Sequence, residues 1–129
     1  MRKIFPIIPL AAVFLLLAFA APQDAAGTCR IFLEECGWTM AEEFSEETVT
    51  LPKEGDAAWN DYLSMQAETG LPLADYSGRT VLRLRCRIAN HPGGENVYAN
   101  LFWCEGRVVG GDIMSPALDG FMHGLQKRR

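Results

Sequence analysis

The sequence predicts a small α+β domain: an antiparallel sheet of three to four strands in a meander, covered by two helices and preceded by an N-terminal hydrophobic export helix. Three observations support this: an apolar run near the start, two segments with helical spacing of apolar residues, and an alternating segment followed by two further strand-like segments. The chain has 129 residues. With its start committed to export, roughly 100 residues remain, which is the size of one domain.

The N-terminus has the order of segments found in export signals. A basic stretch, Met1–Lys3, precedes an apolar run from Ile4 to Ala21, and the part of that run from Leu10 onward has the length of a signal-peptide core. The small residues of Ala18-Phe19-Ala20 predict cleavage after Ala20. If the run is not cleaved, it would anchor the chain with its basic end in the cytoplasm.

Both alternatives place the domain outside the cytoplasm, as a secreted or a single-pass membrane-anchored protein. We therefore divide the chain into residues 1–27, a signal peptide or signal anchor with a spacer, residues 28–125, a single α+β domain, and residues 126–129, a basic tail.

Two segments are predicted to be helices. In the first, Thr28 is the N-cap and Gly37 ends a short helix over residues 29–36, whose inner stripe would be Ile31, Phe32 and Cys36. In the second, Asp56 caps a helix that runs to about residue 69. Its inner stripe follows the spacing of one helical face and consists of Trp59, Tyr62, Leu63 and Gln66.

The strands are predicted from alternation. Residues 79–89 alternate between apolar side chains and the arginines Arg83, Arg85 and Arg87, which indicates a half-buried strand with an outward arginine ladder. Residues 97–103 form the next strand, and a turn at Glu105-Gly106 leads to a third over residues 107–113. Residues 47–51 would widen this meander, with both helices available to cover one face.

The charge pattern excludes one class of partner and suggests another. The formal net charge is −4 at pH 7, which argues against general nucleic-acid binding. Arg83, Arg85 and Arg87 recur at intervals of about 6.5 Å on one strand face and could bind an anionic envelope polymer or an acidic partner. The alternative is that they pair with the acidic first half of the chain.

One block near the C-terminus holds the candidates for acid–base chemistry. Asp112, Asp119 and His123 are close in sequence, so a hydrolase using them is one hypothesis. The structural alternative is that Gly110-Gly111 permits a bulge or a close backbone approach, while Asp119 forms a turn. The second histidine, His91, lies far away in sequence, and we expect no metal site and no cofactor.

Four cysteines in an exported chain permit disulfides. Cys29 and Cys36 cannot bond to each other within one helix. A bridge from the helix to the sheet and buried free thiols both stay open.

Several motifs occur in a recognisable order over residues 30–125, and the most specific are Gly110-Gly111-Asp112-Ile113 and the block from Leu118 to Leu125. In these motifs the chain resembles a bacterial family catalogued as domain of unknown function 4830. The resemblance implies a single domain behind a membrane segment, and it carries over no catalytic residue. The sequence departs from the family pattern at Gly55 and Leu63, where an aromatic residue and Asn are usual.

These observations predict an extracytoplasmic, non-catalytic binding or interaction module at the cell envelope, whose partner is an envelope component or a protein. The alternatives are an envelope hydrolase using Asp112, Asp119 and His123, and the ectodomain of a membrane-anchored regulatory complex. Enzymatic activity is left open by the sequence.

Overall fold

The computed structural model describes residues 24–127. The export segment, the cleavage site after Ala20 and the last two residues of the basic tail lie outside this range. Within residues 24–127, no helix is both long enough and apolar enough to cross a membrane.

The core of the fold is an antiparallel sheet whose strands lie side by side in chain order. They are β1 (Ser45–Thr50), β2 (Thr80–Arg87), β3 (Tyr98–Cys104), β4 (Arg107–Met114) and β5 (Met122–His123). The α+β class and the meander are confirmed, and the sheet is wider than predicted. The added strand, β5, is too short to give an alternation pattern in the sequence.

Helix α1 (Ala25–Glu35) begins earlier than predicted. Its N-cap is Asp24, whose carboxylate accepts from the Gly27 N–H at 3.0 Å, and not Thr28. The predicted inner stripe is also displaced, because Ile31 is 57% exposed whereas Cys29 and Leu33 are fully buried. Moving the cap towards the N-terminus adds a turn to the helix.

Helix α2 (Ala57–Gln66) has the predicted cap, since Asp56 accepts from the Trp59 N–H at 2.9 Å. It continues as a 3₁₀ turn over Ala67–Thr69, and a second 3₁₀ turn covers Leu73–Tyr76. Trp59 and Gln66 are buried as the predicted stripe requires, and the Trp59 indole N–H donates to the Ser77 hydroxyl at 2.8 Å.

The two helices cover opposite faces of the sheet, which corrects the expectation that both cover one. Cys29 and Leu33 of α1 pack on the face formed by Leu84, Leu101 and Ile113. Trp59 of α2 packs on the other face, together with a second group of buried side chains: Leu51, Leu73, Tyr76, Val81, Phe102 and Val109. This second face also carries the arginines of β2, so α2 covers part of the arginine ladder.

A bulge in β4 sets the register of its second half. Phe102 pairs with Gly110 but Trp103 pairs with Val108, which leaves Val109 as an extra residue. A Cβ on Gly111 would lie 2.2 Å from the Asn100 carbonyl oxygen, and one on Gly110 would lie 2.8 Å from the Leu73 side chain. Of the two roles predicted for the glycine pair, the close backbone approach is confirmed at Gly111, whereas the extra residue of the bulge is Val109.

All four cysteines are free thiols. Burial raises the pKa of the Cys29 and Cys86 thiols to about 12 and that of Cys36 to about 11. These thiols are therefore protonated near neutral pH, and the two fully buried ones act as small apolar side chains.

Gly111→Ala should destabilise the fold by about 3 kcal/mol, because the new methyl group must displace backbone in the centre of the sheet. Gly124→Ala is the matched control: it is also buried, and the nearest atom to its Cβ is 3.6 Å away. Urea unfolding followed by far-ultraviolet circular dichroism measures both. Equal losses in the two variants would contradict the close approach at Gly111.

Candidate functional site

The arginine-bearing face contains a pocket of about 460 Å³, which we call the arginine-face pocket. It lies beside α2, where that helix leaves the face uncovered. Its floor contains Arg83 and Arg85 of β2, Asn100 and Phe102 of β3, and Asp112 of β4. Its walls are largely apolar and include Val49, Leu51, Pro52, Ala58, Trp59, Tyr62, Met114 and Met122.

The strand register explains why the polar floor residues lie together. Arg85 pairs with Asn100 across β2 and β3, and Asn100 pairs with Asp112 across β3 and β4. Directly paired residues in an antiparallel sheet project from the same face. One row across three strands therefore brings a cation, an amide and a carboxyl group to the centre of the pocket.

The three predicted binding arginines have different partners. Arg83 forms an ion pair with Glu47, and Arg87 lies 3.8 Å from Glu42. Arg85 instead lies over the Tyr98 ring, 4.5 Å from its centroid, and has no carboxylate at ion-pair distance among residues 24–127. Arg83 and Arg85 line the pocket, whereas Arg87 lies outside it.

Asp112 is the buried acid of the pocket, with an exposed fraction of 3%. Its carboxylate accepts from the Tyr62 hydroxyl at 2.5 Å and from the Asn100 amide at 3.0 Å. Burial raises the pKa of Asp112, although the two hydrogen bonds and the charges of Arg83 and Arg85 oppose the rise. Burial also raises the pKa of Tyr62, and the Asp112 charge raises it further. The hydroxyl therefore stays a donor near neutral pH.

The pocket has the chemistry of a binding site with one cationic contact. Apolar walls favour an apolar ligand body, and a guanidinium in a partly enclosed site favours an anionic group. Volumes of this size are typical of sites that hold small organic molecules.

The three candidates for acid–base chemistry do not converge. Asp112 faces the pocket, but the next residue, Ile113, faces the opposite core and pairs with His123. His123 is therefore on the other side of the sheet from Asp112. Asp119 is exposed in the connection before β5. The geometry that the hydrolase hypothesis requires is absent from these three residues.

His123 instead forms a pair with His91, with 2.9 Å between their Nε2 atoms. The contacts of the Nδ1 atoms determine which ring nitrogen of each histidine carries the proton. His91 Nδ1 accepts from the Gly93 N–H at 2.8 Å. His123 Nδ1 lies 2.7 Å from the Gly124 carbonyl oxygen, to which it must donate. His91 Nε2–H then donates to His123 Nε2. Two neutral imidazoles satisfy every contact, and an added proton would break one of them.

Aromatic rings enclose this pair and join it to the end of the chain. His91 stacks on Trp38 and on Phe121, with centroid distances of 5.2 and 4.8 Å. The Trp38 indole N–H donates to the Leu125 carbonyl at 2.6 Å, and the Lys127 ammonium lies 5.7 Å from the Trp38 ring. Burial, His123 and Lys127 lower the pKa of His91. Among residues 24–127, no group of three or more potential metal ligands includes this pair.

Sequence reasoning found the arginines and Asp112 but not the pocket that joins them. One signal was present: residues 97–103 and 108–113 are apolar at nearly every position, which is typical of strands covered on both faces. The histidine pair left no comparable signal, because its members are 32 residues apart and meet only through the fold.

The stability of the fold should fall as the pH drops through the ordinary histidine value of 6.5, because the lowered pKa of His91 means that the unfolded chain binds protons more readily than the folded one. Above that pH His91 is neutral in both states and its contribution is complete. Urea unfolding at about pH 8 and about pH 5 measures the change. His91→Gln should reduce the pH dependence, and an unchanged dependence in this variant would contradict the assignment.

Comparisons of this chain with protein-family models, with curated proteins and with solved structures gave no match. The resemblance to a bacterial family drawn from the sequence therefore stays a prediction, and function is argued from the geometry of the site alone.

Proposed function

We propose that this protein is a non-catalytic binding module of the cell envelope and that the arginine-face pocket is its binding site. The observation that carries the proposal is the combination of a cavity of about 460 Å³ with apolar walls and an arginine, Arg85, that forms no ion pair with a carboxylate of residues 24–127. The ligand is an organic anion with an apolar body.

Arg85 is the central contact in this proposal. Arg83 and Arg87 are engaged by glutamates, so a ligand anion would have to compete with Glu47 or Glu42 to reach them. Arg85 is held by the Tyr98 ring, which orients the guanidinium without neutralising it. Of the three arginines predicted to bind an anion, we therefore assign the contact to Arg85, which lines the pocket and forms no ion pair with a glutamate.

The envelope location rests on the sequence of residues 1–27, with its basic start, apolar run and small residues before the cleavage site. It is a separate part of the proposal from the pocket. The secreted and the membrane-anchored forms would present the same site to the outside of the cell.

Anilinonaphthalenesulfonate (ANS), an aromatic sulfonate, is a suitable probe because it combines an apolar body with a fixed negative charge. We expect saturable ANS fluorescence with the folded protein and about tenfold weaker binding by Arg85→Gln, which loses a charge-assisted contact. Arg87→Gln is the matched control, since it removes the same charge from the same strand face outside the pocket. Equally weakened ANS binding in the two variants would show that the loss follows from the change in net charge and not from a contact in the pocket.

Two further comparisons separate the pocket from other apolar surfaces. Ala58→Trp places a large side chain at an exposed position of the pocket wall and should block ANS binding. N-phenylnaphthylamine, which has the same rings without the sulfonate, should bind more weakly than ANS and should not distinguish Arg85→Gln from the parent protein. Full ANS binding by folded Ala58→Trp would exclude the pocket as the site.

Production of the full chain in a bacterial host tests the location. Intact-mass measurement on membrane and supernatant fractions should find either a soluble form that starts at Ala21 or a full-length membrane form. Retention of the full-length chain in the cytoplasmic fraction would contradict an envelope function.

A further inference from the structure

We infer that the arginine-face pocket takes up its anionic ligand together with one proton, which Asp112 accepts. The inference rests on the proposed function, because it assigns a ligand class and a linked proton to the same pocket. It depends on the arrangement of Arg85, Asn100 and Asp112 in one row across the sheet and on the contact between Asp112 and Tyr62.

Asp112 faces charged or titratable groups on two elements, β2 and α2, and neutral groups on β3 and β5. From β2, the charges of Arg83 and Arg85 favour the ionised form of its carboxylate against the effect of burial, and from α2 the Tyr62 hydroxyl donates to it. Asn100 of β3 contributes a neutral amide, and Met122 of β5 contributes no charge. Asp56 also lines the pocket, but its carboxylate caps α2, and Glu47 is engaged by Arg83.

An anion bound at Arg85 removes one of the two positive charges that keep Asp112 ionised. It also adds a negative charge near a carboxylate that is already almost fully buried. Both effects favour the protonated form of Asp112. By linkage, a ligand that promotes proton uptake must itself bind more tightly as the pH falls through the titration of that group.

The contact with Tyr62 provides a place for the proton. In the ionised state, the Tyr62 hydroxyl donates to Asp112 Oδ2. A proton on Oδ2 reverses this hydrogen bond, so that the carboxyl group donates to the tyrosine oxygen. The tyrosine hydrogen is then free to turn towards the pocket and donate to the bound anion. Proton uptake thereby removes the negative charge of Asp112, which repels the bound anion, and makes the Tyr62 hydroxyl available as a donor to that anion.

ANS is again a suitable probe, because its sulfonate stays ionised across the range tested and any pH dependence belongs to the protein. We expect its affinity to rise as the pH falls from about 8 through the titration of Asp112, and a shift of about one unit in the pKa of Asp112 makes the complete rise about tenfold. Calorimetry in buffers of different ionisation enthalpy should show net proton uptake on binding at pH values within the titration. This measurement uses the unmodified protein and needs no variant to fold.

Asp112→Asn mimics the protonated acid with nearly the same shape. It should bind ANS at about pH 8 more tightly than the parent protein does at that pH, and it should take up no proton. Tyr62→Phe, which lacks the donor, should keep only part of the gain in affinity at low pH. The histidine pair lies on the opposite face of the sheet, so any contribution it makes to the pH dependence is unchanged in Asp112→Asn, which serves as the control for it.

The outcomes separate the two proposals. Absence of saturable ANS binding, or binding that Arg85→Gln does not weaken, overturns the proposed function. Arg85-dependent binding with the same affinity throughout this pH range and no proton uptake overturns the linkage alone. Proton uptake that persists in Asp112→Asn assigns the proton to another group and also overturns the inference.

Discussion

The bulge at Val109 is the constraint on which the rest of this structure depends. It places Val109 and Gly110 on the α2 side of the sheet, so that Asp112 faces the arginine-face pocket while Ile113 faces the α1 side. Without the extra residue, every side chain after it would change face. Asp112 would then enter an apolar core, and His123, the partner of Ile113, would lose its place beside His91. Gly111 secures the arrangement because only a residue without a side chain fits against the Asn100 carbonyl.

Much of the fold could be predicted because its determinants are local. Alternation in β2, the turn at Glu105-Gly106 and the cap at Asp56 each depend on a few neighbouring residues. The turn is an example, since both of its residues have positive φ, as the sequence pair suggests. The start of α1 was misplaced because Asp24 and Thr28 are both good caps, and only packing of Cys29 and Leu33 distinguishes them.

The parts that could not be predicted depend on long-range packing. Whether α2 covers the same face as α1 or the opposite one depends on how the connections cross the sheet, and the helix sequences do not specify this. The arginines of β2 indicate a solvated face when the strand is considered alone, yet Trp59 of α2 packs over part of that face. The pocket lies where α2 stops covering the sheet, so its position depends on the length of α2 as much as on the strands.

The free edge of the sheet at β1 has a consequence for self-association. This strand is exposed along most of its length and pairs with a neighbour on one side only, which is the geometry by which identical chains join into extended sheets. Glu46 and Glu47 lie in its centre, so a second copy laid against it would bring like charges together. Glu47, which forms the ion pair with Arg83, therefore also opposes edge-to-edge pairing of two chains. Protonation of Glu46 and Glu47 would remove this barrier to aggregation.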